Sequence, residues 1–312
     1  MDNGPAVKAA GFLTLIIISI PANLAVVGAF LYSFLTEGKP MTTDIILCHL
    51  AFVNLMVAFV RSIPQTLTAL GYQNLFDDIG CKMSIFSFRI FRGLSISLTC
   101  LLSTYQAVLL APMSSKFSIL KYKIPQYLLQ IFLCFYMFSS ATSVHPILYA
   151  VSKLVNNTIP PYTFNLDYCF VKYSDYSSYV GIGLSNFLKD LVFIILMTIT
   201  SVYILVLLYL HSKRVKNIRS SDRGQSSRAE TKASRAVVTL VILYVVFFGT
   251  DNVIWLYSIT ILRVPQVFTD VRVFFSSLFT SVCPIVIAIT NPKVKSKIKM
   301  VKVKTMNKVS TT

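Results

Sequence analysis

The stretch 191–210 reads LVFIILMTITSVYILVLLYL, twenty residues without one charge. A bilayer core needs roughly 20 apolar residues for a helical crossing. Upstream as far as Ser178 the only charges are Lys189 and Asp190. The whole segment Ser178–Leu210 therefore reads as one membrane span that carries a lysine and an aspartate inside it. Outward from it, six further apolar segments have the same length and character: Ala9–Leu35, Thr43–Leu70, Lys82–Leu110, Ile124–Tyr149, Ala233–Leu262 and Phe268–Thr290. Lipid cannot satisfy exposed backbone polar groups, so each crossing is expected to be helical. The predicted fold is an all-α membrane protein, a seven-transmembrane helix bundle.

Composition agrees. The chain has 312 residues, 55% hydrophobic and 13% charged, with a mean hydropathy of +0.68. Soluble domains carry about 25% charged residues. Residues 1–290 are read as the membrane domain and 291–312 as a basic cytoplasmic tail. The segment before the first span is short and has no cleavable signal pattern, so span one is expected to act as an uncleaved signal. A separate outer domain for ligand capture is not expected.

The net charge is +17, and its distribution sets an orientation. The loop after span three has Lys116, Lys121 and Lys123 without an acid. The loop after span five carries Lys213, Arg214, Lys216, Arg219, Arg223, Arg228, Lys232 and Arg235 against Asp222 and Glu230. The tail has Lys293, Lys295, Lys297, Lys299, Lys302, Lys304 and Lys308 without an acid. The other side is poor in cations and holds Asp77, Asp78, Asp167 and Asp175. The positive-inside rule then places the N-terminus outside and the tail inside. The basic clusters are explained by topology and anionic membrane lipids rather than by nucleic acid. Val294, Ile298 and Val301 share one helical face, so a short tail helix on the inner leaflet is expected, with a disordered tail as its rival.

Asn156-Asn157-Thr158 is a glycosylation sequon in the loop between spans four and five, on the side expected to be outside. Cys48, Cys100, Cys134 and Cys283 lie within spans and read as packing residues. Cys81 lies at the mouth of span three and Cys169 in the sequon loop. Both face an oxidising compartment, so they are expected to form a disulfide, the alternative being two unpaired thiols. His49, His145 and His211 are far apart and read as packing histidines. No nucleophile-elbow, zinc-protease, C-x-x-C or P-loop pattern occurs, so no enzyme, no metal and no cofactor is expected.

Local motifs narrow the class. Span two contains His49-Leu50-Ala51-Phe52-Val53-Asn54, then Pro64-Gln65-Thr66. Asp77-Asp78-Ile79-Gly80-Cys81-Lys82 precedes span three, which carries Arg92-Gly93-Leu94-Ser95, Cys100-Leu101-Leu102-Ser103 and Gln106-Ala107, and ends at Pro112-Met113-Ser114-Ser115-Lys116. This series resembles the vomeronasal type 1 receptors and their fish olfactory counterparts, within the rhodopsin-like G-protein-coupled receptors. The dense match covers roughly residues 45–125. Tyr105-Gln106-Ala107 stands where the wider class has Asp-Arg-Tyr, Asn54 where it has a sodium-site aspartate, and Cys283-Pro284-Ile285 where it has N-P-x-x-Y. An activation mechanism built on an arginine lock or a sodium ion is thereby put in doubt. Bitter taste receptors also lack Asp-Arg-Tyr, but typically lack the cysteine pair too. The resemblance implies a chemosensory receptor at the plasma membrane, a small-molecule ligand and a heterotrimeric G protein of the Gi/o type. Asn23 matches the common receptor asparagine of span one and is expected to bond toward span two near Asn54.

Charges inside spans are costly and mark function by default. Arg61 lies about 14 Å below Leu70, and Arg89 and Arg92 about 12 and 16 Å below Cys81. Lys189 and Asp190 lie roughly 15–18 Å below Ser178, and Asp251 about 16 Å below Leu262. Separately assigned spans thus put four cations and two anions in one layer, which leaves about two positive charges over. An interhelical ion-pair network is one reading, and a pocket for an organic anion is the other. The second is preferred for Arg61 or Arg89 ahead of Arg92, because a guanidinium presents a planar fork to a carboxylate or sulfate. Expected pocket walls are Phe88, Ser95, Asn186, Trp255 and Tyr257. Rival classes are a transporter or channel, for which no inverted repeat is visible, and a receptor-like accessory protein that never couples.

Overall fold

The computed structural model describes residues 4–38, 40–112, 118–154, 160–217, 224–261 and 264–298. Among them, seven helices are long and apolar enough to cross a membrane: Ala6–Glu37, Thr42–Ala69, Asp78–Leu110, Leu128–Tyr149, Tyr176–Leu210, Thr231–Ile259 and Gln266–Thr290. They are spans one to seven. The helices of spans five and six continue past the apolar stretch, as Tyr176–Asn217 and Gly224–Ile259, because a helix bonds its own backbone in water as well as in lipid. Span three starts four residues ahead of the expected Lys82. Asp77 caps it, its Oδ1 accepting from the Gly80 N–H at 2.7 Å. Span four starts at Leu128, later than the expected Ile124. A separate helix Ser118–Gln126, which contains Pro125, ends in a break at Tyr127.

Span three is the centre of the bundle and packs on spans two, four, five and six. Leu50, Leu94, Leu98, Leu102, Met197, Leu240, Tyr244 and Phe279 form the main core. Gly93 sets the approach of span four, since a Cβ there would lie 2.8 Å from Ser139 Oγ. Leu129, Leu133 and Met137 on span four and Val192, Ile199 and Val202 on span five are exposed. These are the faces that meet lipid, where apolar burial gives no driving force and helices hold by close packing and polar contacts.

Those polar contacts follow the prolines. Proline has no N–H, so the carbonyl four residues earlier is left unpaired. In span two, a π-helical turn Ala58–Ser62 precedes Pro64, and the free Val60 carbonyl accepts from Ser84 Oγ of span three at 2.9 Å. In span seven, Pro284 frees the Thr280 carbonyl, which accepts from Asn23 Nδ2 at 2.9 Å and from Ser19 Oγ at 3.2 Å. Asn23 therefore bonds to span seven, not toward Asn54 as expected. Asn54 Oδ1 instead accepts from Ser95 Oγ of span three at 3.1 Å.

The loop between spans four and five folds into a small antiparallel sheet that the sequence reading did not include. Strands β1 Ala150–Val151, β2 Thr163–Asn165 and β3 Phe170–Lys172 pair in the order β1-β3-β2, with Ala150 opposite Val171 and Asn165 opposite Phe170. A disulfide joins Cys81 to Cys169 and lays this sheet across the end of the bundle as a lid. Cys48, Cys100, Cys134 and Cys283 are free thiols. The sequon at Asn156 lies outside the described residues.

At the opposite end, residues 292–298 are helical. Asn291 caps them, its Oδ1 accepting from the N–H of Lys293 at 3.0 Å and of Val294 at 3.3 Å. Val294 is buried and Ile298 packs on the core; Val301 lies outside the described residues. Lys293 Nζ reaches Asp44 at 3.0 Å and Glu37 at 3.1 Å. Burial would lower the Lys293 ammonium, but these two acids outweigh it and hold it above the ordinary lysine value.

Candidate ligand-binding site

Beneath the lid the bundle encloses a cavity of about 140 Å³. A dry cavity of about 150 Å³ is known to take benzene, so the space suits one small ring. Spans two, three, five, six and seven and the lid all contribute walls. The π-helical turn Ala58–Ser62 carries Arg61, and the regular helix of span three carries Phe88, Arg89 and Arg92. Arg89 and Arg92 are three apart and so share a helix face.

The charges divide into a paired set and an unpaired set. Arg92 Nη1 lies 2.8 Å from Asp251 Oδ2 and Nη2 lies 3.3 Å from Asp190 Oδ2. Asp251 Oδ1 accepts from Arg272 Nε at 2.8 Å. The Asp251 side chain is 4% exposed, so its carboxylate is shielded from water. Arg92 also lies over the Phe248 ring. Lys189 Nζ donates to Thr142 Oγ1 of span four at 3.4 Å. Arg61, Arg89 and Lys189 differ from Arg92 and Arg272: among the described residues none of the three has an acid within ion-pairing distance. Arg61 stacks on Phe88, 4.0 Å from the ring centroid, and its buried Nε has no hydrogen-bond partner. Arg89 lies near the Tyr173 phenol of the lid, on which its charge acts. The cavity lining holds five cations, Arg61, Arg89, Arg92, Lys189 and Arg272, against two acids, Asp190 and Asp251.

The lid supplies two tyrosines to this positive space. Burial raises the Tyr168 phenol above its ordinary value, while the Arg61 charge and a bond to Ser84 pull it back. Tyr173 is raised by burial in the same way and pulled back by Arg89 and Arg272. Phenol oxygens are weak acceptors beside a carboxylate, so the two guanidiniums retain strong hydrogen-bonding capacity.

Of the residues singled out from sequence, Arg61, Phe88, Arg89, Arg92, Asn186, Lys189, Asp190, Asp251 and Trp255 line this cavity. Trp255 lies against Gly183 of span five, where even a Cβ would collide with the indole. Ser95 and Tyr257 are corrections. Ser95 is buried on Asn54, one turn below the cavity. Tyr257 is 54% exposed and leans on Phe268 at the rim of spans six and seven. The expected neutralisation also changes. Asp190 and Asp251 converge on one arginine, Arg92, and the second cation on Asp251 is Arg272, which the sequence reading did not count. Arg272 was legible only in part. Its depth below Gln266 is about 9 Å, shallower than the other charges, and its reach to Asp251 comes from its side chain. Asn252, Thr269 and Phe187 also line the cavity. His49 stacks on Phe132 at 4.8 Å and meets the Tyr136 hydroxyl at 3.2 Å, a packing role.

A family profile described as the vomeronasal organ pheromone receptor family matches residues 7–300. The chain is 41% identical over 298 residues to olfactory receptor class A-like protein 1 of Danio rerio, covering 95% of this chain and 93% of that one. It is 28% identical over 244 residues to human vomeronasal type-1 receptor 2, covering 78% of this chain and 61% of that receptor. In fold it is similar to squid rhodopsin, with a TM-score of 0.67 at 18% identity over 94% of this chain and 85% of that one.

Proposed function

The chain belongs to the vomeronasal organ pheromone receptor family, and from that premise we propose that it is a chemosensory receptor whose lidded cavity binds a small organic anion. That it is a multi-pass membrane receptor, not an enzyme, and works with a small molecule and a G protein follows from the family itself. The anion, its cavity, a Gi/o-type partner, anionic lipid at the tail and an extracellular lid are our reading. One observation carries it: Arg61 and Arg89 line the cavity, half-buried, without an acid partner among the described residues, and the Arg61 Nε is a buried donor with no hydrogen-bond partner. A buried guanidinium is costly to leave unpaired. An anion with a carboxylate or sulfate would offset that cost by a forked pair of bonds. The aromatic walls, Phe88, Phe164, Phe187 and Trp255, supply a surface for the body of the molecule.

The test pairs surface counts with dose response for Arg61→Gln and Arg89→Gln, using small aromatic and aliphatic acids as agonists. Loss of a charge-assisted contact costs about 1.5–3 kcal/mol, roughly ten- to a hundredfold in potency. Lysine at either position should restore part of it, keeping the charge but not the fork. Normal surface level with unchanged potency for an acid would refute the anion site. Collapse of both variants from the surface, with or without ligand, would make the arginines structural instead.

A further inference from the structure

Two cavities meet at the lid, and one short segment of backbone is the wall between them. Side chains alternate along an extended chain. Phe164 and Leu166 face the inner cavity, Asn165 and Asp167 face a wider cleft of about 1290 Å³, and Tyr168 touches both. The cleft opens between spans one, two and seven. Span seven divides the same way, with Thr269 and Arg272 turned inward and Asp270 and Val271 turned to the cleft.

The lid is not fixed evenly. Toward spans three, four and five it has the Cys81–Cys169 disulfide and a cluster of rings, in which Tyr173 lies 5.1 Å from Tyr149 and 5.6 Å from Tyr179. Toward spans one, two and seven it is held by Leu166, packed with Phe12 and Val273, and by the polar contacts of Asp167, in the β2–β3 turn with φ of 65°. Asp167 accepts from Lys8 at 2.6 Å, Gln65 at 2.9 Å and Gln266 at 3.0 Å. Lys8 also reaches Asp270 at 2.7 Å. The side chains of Lys8, Asp167 and Asp270 are 21–23% exposed, so water can replace each partner as the contact opens. A disulfide and a ring cluster have no such substitute.

We propose that the cleft is a second, vestibular site for the same small organic anions and their route to the inner cavity, with the Asp167 clamp as its gate. The inference rests on the cavity reading above. In the closed clamp two carboxylates share one ammonium, so Lys8 has nothing to offer an anion. When Asp167 turns away, Lys8 keeps one acid and gains capacity for an arriving carboxylate, and the Asn165–Asp167 wall yields with it. Phe12, Phe170 and Phe274 line the cleft and suit the apolar part of such a molecule.

The test needs no identified agonist. Asn186→Cys puts a thiol in the inner cavity of the full-length receptor in intact cells. Its modification by anionic 2-sulfonatoethyl methanethiosulfonate is timed against the parent, whose native thiols give the background, and normalised to surface receptor. Added Asp167→Ala should speed modification at least severalfold, and Lys8→Gln, which opens the clamp but removes the cation of the vestibule, should speed it less. Val271→Trp, which plugs the cleft, should slow it comparably, while Gly181→Trp at the span five edge should not. Rates indifferent to all three cleft changes would overturn the proposal, as would slowing by Gly181→Trp alone. If Asp167→Ala fails to reach the surface, Lys8→Gln and Val271→Trp decide. The cationic trimethylammonioethyl reagent separates the two readings. Equal rates for both reagents, each scaled to its rate with a free thiol and still altered by the gate variants, would keep the gate and remove the anion preference.

Discussion

Asp251 is the residue on which the buried charges depend. It receives Arg92 from span three and Arg272 from span seven, each at 2.8 Å, and is nearly inaccessible to water. Removing one partner of a buried pair typically costs about 3–5 kcal/mol, because the other charge stays behind without water. Asp251→Asn is therefore expected to deplete surface receptor in the absence of any ligand, as measured by surface biotinylation. Arg272→Gln should deplete it less, since Asp251 keeps Arg92. Equal surface levels for the parent and Asp251→Asn would show that the bridge carries no stability. The charges of this layer could be read from sequence because lipid makes each of them costly, so Arg61, Arg89, Arg92, Lys189, Asp190 and Asp251 stood out from their apolar surroundings. Their partners could not be read, because which acid meets which arginine depends on helix rotation. The same limit explains the two misplacements. Tyr257 is two positions past Trp255, about 200° around the helix, and so faces away. Ser95 shares a face with Arg92 but lies deeper, where Asn54 takes its hydroxyl.

Prolines decide how elements hold one another here. Pro284 and Pro64 each free a carbonyl, and each carbonyl finds a side chain on a different span: Asn23 for Thr280, Ser84 for Val60. In lipid no water fills such a gap, so the neighbour's donor replaces the missing backbone bond. The Pro284 case yields a double-mutant cycle. Asn23→Ala should lower the thermal stability of the purified receptor by about 0.5–1.5 kcal/mol, the worth of one hydrogen bond, since Ser19 Oγ still reaches the Thr280 carbonyl. With Pro284→Ala in place the helix regains its own N–H, so the same Asn23 change should cost clearly less. Strictly additive losses would break the link between the two residues. The span boundaries and the prolines were legible, because apolar length and the missing N–H are local properties. The assignment of Asn23 was not, since it required knowing that span one lies against span seven. The lid sheet was equally hidden. Its strands are two or three residues long, and their order is imposed by the disulfide and the rings beneath rather than by a strand pattern.

At the scale of the whole molecule, acids gather at the lid end and cations at the other. The tail illustrates the second group: Lys293 binds Glu37 at the end of span one and Asp44 at the start of span two, Lys297 also reaches Glu37, and Lys297 lies over the Tyr32 ring, 4.8 Å away. That latch uses two lysines and leaves Lys295 exposed, as a surface that faces anionic lipid requires. The positive-inside rule counts lysine and arginine in short loops near the span ends. Applied to the observed spans, it puts the lid end outside. Asn156 belongs to the lid loop, between Leu154 and Pro160, so its side of the membrane is that of the disulfide. An extracellular lid predicts a glycan at Asn156, because the enzymes that attach it and the oxidising conditions that join Cys81 to Cys169 share one compartment. The parent should show a glycosidase-sensitive gel shift that Asn156→Gln abolishes. Non-reducing peptide mapping should find Cys81 linked to Cys169 in the same sample. An epitope added at the N-terminus should stain intact cells, and one at the C-terminus only permeabilised cells. The reverse staining would overturn the orientation. Correct staining without a gel shift would leave the orientation standing and show that the glycan is not attached, which would place the sequon too close to the membrane or the lid for the transferase to reach.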